Sequence, residues 1–100
     1  MFEQLLEKIE EQGSAYILEQ YEKILKKRFP KRVRDLYIKY VKASMSSVSD
    51  RKKYRELIRY LKKIARYPDG KRLTKEIADE WRKEYKRRSA LIDELKKAGF

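Results

Sequence analysis

The sequence predicts an all-α fold of about six helices, and three observations lead to this prediction. Apolar residues recur every three or four positions, which is the spacing of one helix face, and no segment sustains the two-residue alternation of a strand. Only three glycines and two prolines interrupt the 100 residues. A hydrophobic content of 41% supplies a core and a charged content of 44% covers it. We therefore expect one helical domain over residues 1–100.

Gly13 and Ser14 separate the first two predicted helices, because glycine ends a helix readily and serine caps the start of the next one. The first helix is predicted over residues 2–11, with an apolar face made of Phe2, Leu5, Leu6 and Ile9. The second helix runs to about Arg28 and shows on one side Ile17, Tyr21, Ile24, Leu25 and Arg28. It ends there because Pro30 disfavours helical geometry in the preceding residue.

A serine-rich loop is predicted between the third and fourth helices. The third helix begins near Lys31, and its apolar stripe consists of Val33, Leu36, Tyr37, Tyr40 and Val41. Residues 44–50 form the loop because serine hydroxyls compete with helical hydrogen bonds, and Asp50 caps the next helix. The fourth helix covers about residues 51–65, with the inward residues Tyr54, Leu57, Ile58, Leu61, Ile64 and Ala65.

The turn sequence Tyr-Pro-Asp-Gly at residues 67–70 separates the fourth helix from the fifth. The fifth helix is predicted near residues 71–86 and presents at steps of four Leu73, Ile77, Trp81 and Tyr85. A short sixth helix starts near Ser89 and carries Leu91, Ile92, Leu95 and Ala98.

Two internal similarities predict that these helices stack as antiparallel hairpins, in the manner of helical repeats. The aromatic-proline pair at residues 29–30 recurs 38 positions later, at residues 67–68. Residues 57–63 resemble residues 91–97, which lie 34 positions later. Both intervals are typical of helix-turn-helix repeats. The alternative is an irregular helical bundle, in which the similarities follow from a composition rich in leucine and lysine.

The net charge of +12 is distributed unevenly along the chain. Residues 1–22 carry six acidic side chains and one lysine, whereas residues 23–66 carry 17 basic and three acidic side chains. The basic centre would attract phosphates, acidic protein surfaces and anionic membranes alike. The acidic N-terminal segment can pair with this basic centre within the molecule or screen it.

The residue types exclude the commonest kinds of catalytic site. The sequence contains neither cysteine nor histidine, so it offers no thiolate nucleophile, imidazole base or ordinary zinc cluster. The carboxylates of Glu76, Asp79 and Glu80 lie close together on the fifth helix, but their basic neighbours favour ion pairs over a metal site. We predict no enzymatic activity, no cofactor and no metal.

Basic residues at the junction of the second and third helices and at the start of the fourth are the candidate binding surface. Tyr60 is added because it lies among basic residues, on the side of the fourth helix predicted to be polar. The full set is Lys26, Lys27, Arg28, Lys31, Arg32, Arg34, Arg51, Lys52, Lys53, Arg55, Arg59 and Tyr60. Such cations can neutralise nucleic-acid phosphates, although no base-reading motif accompanies them and a solvated helix exterior explains them equally well.

The chain also carries no sign of export or membrane insertion. Acidic residues near the N-terminus stand where a signal peptide needs a basic segment. No apolar run approaches the roughly 20 residues that cross a bilayer. We therefore expect a cytoplasmic location and no membrane partner.

Several short motifs of the second half occur together: YRELIRYLKK at residues 54–63, YPDG at 67–70, WR at 81–82 and RSALIDEL at 88–95. With residues 21–40 and their KRFP break, they resemble the helical C-terminal region of bacterial SWIM zinc finger proteins. Ser89 departs from the proline expected at the start of the final helix. The resemblance implies that the chain is the C-terminal piece of a longer protein whose zinc-binding motif lies upstream. No zinc ligand is therefore assigned to this sequence.

Taken together, these observations predict a non-catalytic helical interaction module. We expect its partner to be another protein or another domain of the same chain, contacted through basic residues of the second to fourth helices. The alternative is nonspecific binding of nucleic acid, DNA in particular, through the same basic surface. A salt titration separates the two hypotheses, because binding to phosphates weakens steeply with salt.

Overall fold

The computed structural model describes residues 2–12, 15–48 and 50–100, and within them every regular element is an α-helix. In chain order the helices are α1 (Phe2–Gln12), α2 (Ala15–Arg28), α3 (Pro30–Met45), α4 (Arg51–Ile64), α5 (Gly70–Glu84) and α6 (Ser89–Ala98). The all-α prediction is confirmed, and the predicted helix ends are shifted by only one or two residues. The predicted stop at Gly13 and cap at Ser14 lie outside the described residues.

Local chemistry explains where α3 and α4 begin and end. Pro30 is the first residue of α3, since the fixed φ of proline suits the first helical position. Asp50 caps α4 as predicted, because its carboxylate accepts a hydrogen bond of 2.9 Å from the backbone N–H of Lys53. α3 extends further than predicted, through Ser44 to Met45, and the fully buried Met45 side chain anchors this last turn in the core.

α4 lies at the centre of the fold. It packs against α3, α5 and α6, whereas α2 packs mainly on α3 and α1 on α2. The buried residues of α4 are Tyr54, Leu57, Ile58, Tyr60, Leu61 and Ile64. They cover more than one side of the helix, because three neighbouring helices surround it. The stack of hairpins stays a prediction, beside the alternative of an irregular bundle.

The turn between α4 and α5 brings two backbone segments unusually close. A Cβ atom at Gly70 would lie only 1.9 Å from the carbonyl oxygen of Ile64, so no other residue fits there without displacing the backbone. Asp69, just before it, adopts a left-handed conformation with φ of 61°. Its carboxylate pairs with Arg72, one turn further on in α5. These contacts fix the start of α5 against the end of α4.

Aromatic side chains fill part of the core, as their positions on the apolar stripes predict. Tyr37, Tyr54 and Trp81 are almost completely buried. The ring centre of Tyr37 lies 6.3 Å from that of Tyr67, in an edge-to-face arrangement. Such aromatic pairs stabilise a fold by about 0.5–1.5 kcal/mol beyond the burial of their surface. Tyr85 is only half-buried, at the end of α5.

The apolar side predicted for α2 does not face the core as a unit. Leu25 is fully buried, but Tyr21 and Ile24 are 39% and 46% exposed, Arg28 is exposed and Ile17 is half-buried. The buried side of α2 instead consists of Leu18, Glu22 and Leu25, with Glu22 half-buried. The side of α2 that is richest in apolar residues is therefore not the side that packs.

None of the helices in the described ranges is long and apolar enough to span a membrane.

Candidate binding surfaces

The predicted basic surface is divided between the two ends of α4. At one end, the ammonium group of Lys26 lies 5.6 Å from the ring centre of Tyr67, and Arg34 donates a hydrogen bond of 2.8 Å to the carbonyl of Pro68. At the other end, Arg51 and Arg55 contact α6. The 14 residues of α4 span about 20 Å, so these two groups of predicted residues lie at opposite ends of the helix.

Carboxylates of the acidic N-terminal segment neutralise part of the basic centre. Glu10 of α1 accepts hydrogen bonds from Arg32, the shorter of which is 2.8 Å. Glu19 of α2 accepts hydrogen bonds from Arg59 at 3.3 Å and from Lys63 at 2.9 Å. The intramolecular pairing that the charge distribution suggested is therefore present. Arg32 and Arg59 therefore already use part of their hydrogen-bonding capacity within the chain.

Glu22 is the centre of a polar network that sequence reasoning missed. Its carboxylate accepts hydrogen bonds from the Tyr37 hydroxyl at 3.1 Å, the Tyr67 hydroxyl at 2.6 Å and the Lys63 ammonium at 3.0 Å. The network thus ties α2 to α3, to α4 and to the turn after α4. An acidic residue between Leu18 and Leu25 on one helix side is the signal that would have indicated it.

The ionisation of this network is set by burial and by its own contacts. Burial acts to raise the pKa of Glu22, but the hydrogen bonds from Tyr67 and Lys63 and the charge of Lys63 outweigh it and lower the pKa. Burial and the Glu22 carboxylate raise the pKa of both Tyr37 and Tyr67. At neutral pH, Glu22 is therefore ionised and the two hydroxyl groups are protonated donors.

Tyr60 is a correction to the predicted site. The sequence placed it on the polar side of α4, but in the structure it is only 4% exposed. Its ring centre lies 5.7 Å from that of Tyr37 and 5.3 Å from that of Tyr40, and the Arg59 guanidinium lies 4.8 Å from it. Burial, with the nearby charge of Glu19, raises the pKa of Tyr60 to about 12. A ring held in this way cannot serve as a stacking platform for a base.

The remaining predicted residues differ in the salt bridges that they form within the chain. Lys53 has only a long contact of 3.9 Å with Glu56. Lys27, Lys31 and Lys52 are exposed, and none of the salt bridges between described residues includes them. These three exposed lysines can reach an external anion, although Lys31 also lies near enough to Asp69 to help lower the pKa of its carboxyl.

An exposed apolar stripe on α2 is the second feature that sequence reasoning missed. Among the described residues, three large apolar side chains stand out as exposed: Tyr16 at 70%, Tyr21 at 39% and Ile24 at 46%. At 3.6 residues per turn, Ile24 lies between Tyr16 and Tyr21 around the helix, and the three side chains spread over an arc of about 140° that excludes the buried Leu18. The exposed Lys23 and Lys27 border this stripe. The side predicted to be apolar includes Tyr21 and Ile24 but not Tyr16, and the sequence does not indicate that these side chains are exposed.

A groove between α4 and α6 is lined mainly by cations. It has a volume of about 220 Å³ and is open to solvent. Its lining consists of Arg55, Ile58, Arg59, Lys62, Glu94, Lys97 and Ala98. Arg55 and Arg59 belong to the predicted set, whereas Lys62 and the residues from α6 do not. The sequence gives no indication that α6 completes this groove, because the pairing of α4 with α6 depends on the tertiary fold.

The acidic residues of α5 form ion pairs, as predicted. Glu76 pairs with Arg72 at 2.8 Å and Asp79 with Arg82 at 3.0 Å, while Glu80 lies 3.9 Å from Lys42 of α3. Across the part of the chain that the structure describes, no group of three or more acidic side chains could hold a metal ion.

No protein-family model, curated protein or solved structure matches this chain. The resemblance of its second half to the C-terminal region of SWIM zinc finger proteins therefore stays a prediction. The interpretation of the surfaces accordingly rests on their geometry, exposure and charge.

Proposed function

We propose that this chain is a non-catalytic helical interaction module that binds, across α2, an acidic amphipathic helix of another protein or of another domain of its own chain. The observation that carries the proposal is the exposed apolar stripe of Tyr16, Tyr21 and Ile24. Amphipathic helices are bound through apolar anchors spaced along a complementary apolar surface.

The composition of the stripe suits an interface better than a solvated exterior. Tyrosine combines a large apolar ring with a polar hydroxyl, and it is enriched at protein interfaces for this reason. Tyr16 and Ile24 are eight residues apart, so their Cα atoms lie about 12 Å from each other along the helix axis. That distance equals about two turns of a partner helix. The stripe can thus receive two successive apolar residues of such a helix.

The charges around the stripe favour an acidic partner. Lys23 and Lys27, both exposed, border it. Complementary charge around an apolar contact directs encounter and excludes partners of like charge. A second copy of this chain carries the same net charge of +12, which opposes self-association through this face.

The proposal is tested by an NMR titration of the ¹⁵N-labelled chain with a designed helical peptide that has leucine on one side and glutamate around it. We expect the amide resonances of residues 16–28 to shift. A scrambled peptide of identical composition, which cannot form an apolar face, serves as the control and should bind at least about tenfold more weakly.

Two chain variants assign the contact to α2. Tyr21→Ser with Ile24→Ser should weaken peptide binding by about tenfold or more, while thermal unfolding shows that the fold persists. Lys23→Gln with Lys27→Gln should weaken it more than Lys39→Gln with Lys42→Gln, an equal charge change on α3. Equal binding of both peptides, or shifts that avoid α2, would contradict the proposal. The proposal would also be contradicted if, without peptide, the resonances of α2 shifted as the concentration of the chain rises. The partner bound across α2 would then be a second copy of the chain.

Nonspecific nucleic-acid binding is the second candidate function, and the exposed Lys27, Lys31 and Lys52 favour it because they lack a salt bridge among the described residues. Against it, Arg32, Arg51, Arg55 and Arg59 already pair with carboxylates of the chain. Titration with single- and double-stranded DNA at increasing salt is the test. Affinity that falls steeply with salt supports this function, and no binding at low salt excludes it.

A further inference from the structure

We infer that the groove between α4 and α6 is a binding site for a phosphate-sized anion, such as the phosphate or pyrophosphate group of a larger molecule. The site is distinct from the apolar stripe of α2, and the inference does not depend on the proposed partner helix. Its lining combines four cations, Arg55, Arg59, Lys62 and Lys97, with a single carboxylate, that of Glu94.

The carboxylate in the groove already accepts hydrogen bonds from two arginines of the chain. Glu94 is only 7% exposed, and its Oε1 accepts hydrogen bonds from Arg51 at 2.9 Å and from Arg55 at 3.1 Å. Burial acts to raise the pKa of Glu94, but the hydrogen bonds from Arg55 and Arg51 lower it. Glu94 is therefore a positioning residue, which holds the Arg55 guanidinium at the edge of the groove.

Arg55 keeps most of its donor capacity for a ligand. Its hydrogen bond to Glu94 uses Nε, and its side chain is 62% exposed. A guanidinium has five N–H donors, so the two terminal nitrogens of Arg55 still offer four. Two N–H groups in one plane match two oxygens of a phosphate group, which makes arginine well suited to bind phosphate.

The other three cations add charge to the groove, although Arg59 and Lys97 each also pair with one carboxylate of the chain. Arg59 makes one hydrogen bond of 3.3 Å to Glu19, and its side chain is 54% exposed. Lys97 pairs with Asp93 at 3.2 Å, outside the groove lining. Lys62 is exposed, and no salt bridge between described residues includes it. The lining therefore carries a net positive charge that an anion would neutralise.

The size and the apolar part of the groove indicate what kind of anion fits. A volume of about 220 Å³ is below the roughly 300–1,000 Å³ of pockets that enclose drug-sized ligands, so the groove suits one or two phosphate groups. Ile58 and Ala98 supply an apolar part of the lining.

Phosphate groups can come from a small phosphorylated molecule or from the backbone of a nucleic acid, and two titrations distinguish these sources. Inorganic pyrophosphate and a twelve-nucleotide single-stranded DNA are titrated separately into the ¹⁵N-labelled full chain. We expect pyrophosphate to shift the resonances of residues 55–62 and 94–98. If the DNA shifts the same resonances and pyrophosphate displaces it, the source includes nucleic acid. If only pyrophosphate binds, the source is a small ligand.

Matched variants identify the groove as the binding site. Arg59→Gln with Lys62→Gln should weaken pyrophosphate binding by about tenfold or more, as expected when two charge-assisted contacts are lost. Lys39→Gln with Lys42→Gln changes the net charge equally on α3 and should weaken binding by less than about threefold. Lys97→Gln is a second test, from the α6 side. Absence of pyrophosphate binding at low salt, or an equal loss in both double variants, would overturn the inference.

Discussion

The two sides of α2 contrast sharply in what surrounds them. On one side, Leu18 and Leu25 are 2% and 0% exposed, and on the other Tyr16 and Ile24 are 70% and 46% exposed. Both sides offer large apolar residues, so apolar content alone does not decide which of them packs. What distinguishes the buried side is Glu22, whose carboxylate receives three hydrogen bonds from other parts of the chain.

This contrast shows how a charged residue can fix the orientation of a helix. Rotating α2 to bury Tyr21 and Ile24 would withdraw Glu22 from the hydroxyl groups of Tyr37 and Tyr67. Buried polar groups left without a partner cost about 1–3 kcal/mol each, so the network opposes that rotation. The apolar stripe is left in solvent, where it is available to a partner.

The largest effect is expected on the free energy of unfolding, when residues on the buried and the exposed side of α2 are each replaced. Leu25→Ala should lower the free energy of unfolding by about 2–5 kcal/mol, because it removes a fully buried side chain and leaves a cavity. Ile24→Ala, at the adjacent position, should lower it by about 0.5 kcal/mol or less. Urea denaturation followed by circular dichroism measures both values. Similar losses for the two variants would show that the exposed side also packs.

Glu22→Gln tests the network and should have the next largest effect. The amide keeps the shape of the carboxylate but loses its charge, so hydrogen bonds from Lys63, Tyr37 and Tyr67 weaken. We expect the free energy of unfolding to fall by about 1–3 kcal/mol. Glu7→Gln, an equal charge change at an exposed position of α1, should change it by about 0.5 kcal/mol or less. A loss no greater than that control would remove Glu22 from the explanation of how α2 is oriented.

A smaller effect is expected when acid titrates the same group. The pKa of Glu22 is lowered in the folded chain from its ordinary value of 4.5, so its contribution to stability is present above about pH 4.5. That contribution declines as the pH falls through the lowered pKa, because the unfolded chain then binds more protons. Urea midpoints between pH 7 and pH 3 should fall less steeply for Glu22→Gln than for the original chain. Identical acid profiles would contradict this.

Features set by neighbouring residues were predictable from the sequence. The six helices, the cap at Asp50 and the ion pairs along α5 follow from spacings of three or four residues. Contacts between distant segments were not. Arg34 reaches Pro68 across 34 positions, and Glu94 reaches Arg55 across 39, so the division of the basic surface and the α4–α6 groove arise only from the tertiary fold.

Tyr60 and the side of α2 that packs were mispredicted for related reasons. Tyr60 lies among basic residues, which suggested a polar side, but α4 packs against three other helices. For α2, apolar spacing pointed to the stripe that is exposed. In both cases, which side chains become buried depends on the helices that pack around them, and a single sequence does not reveal this packing.

Tyrosine labelling tests the central claim, that α2 exposes an apolar stripe used for binding, most directly. The eight tyrosines of the chain are modified by brief hydroxyl-radical exposure, and their rates are measured by mass spectrometry. We predict that Tyr16 and Tyr21 react much faster than the buried Tyr37 and Tyr67. Saturation with the acidic amphipathic peptide should slow Tyr16 and Tyr21 and leave the buried pair unchanged. Rates for Tyr16 and Tyr21 as slow as those of Tyr37 in the free chain would contradict the account.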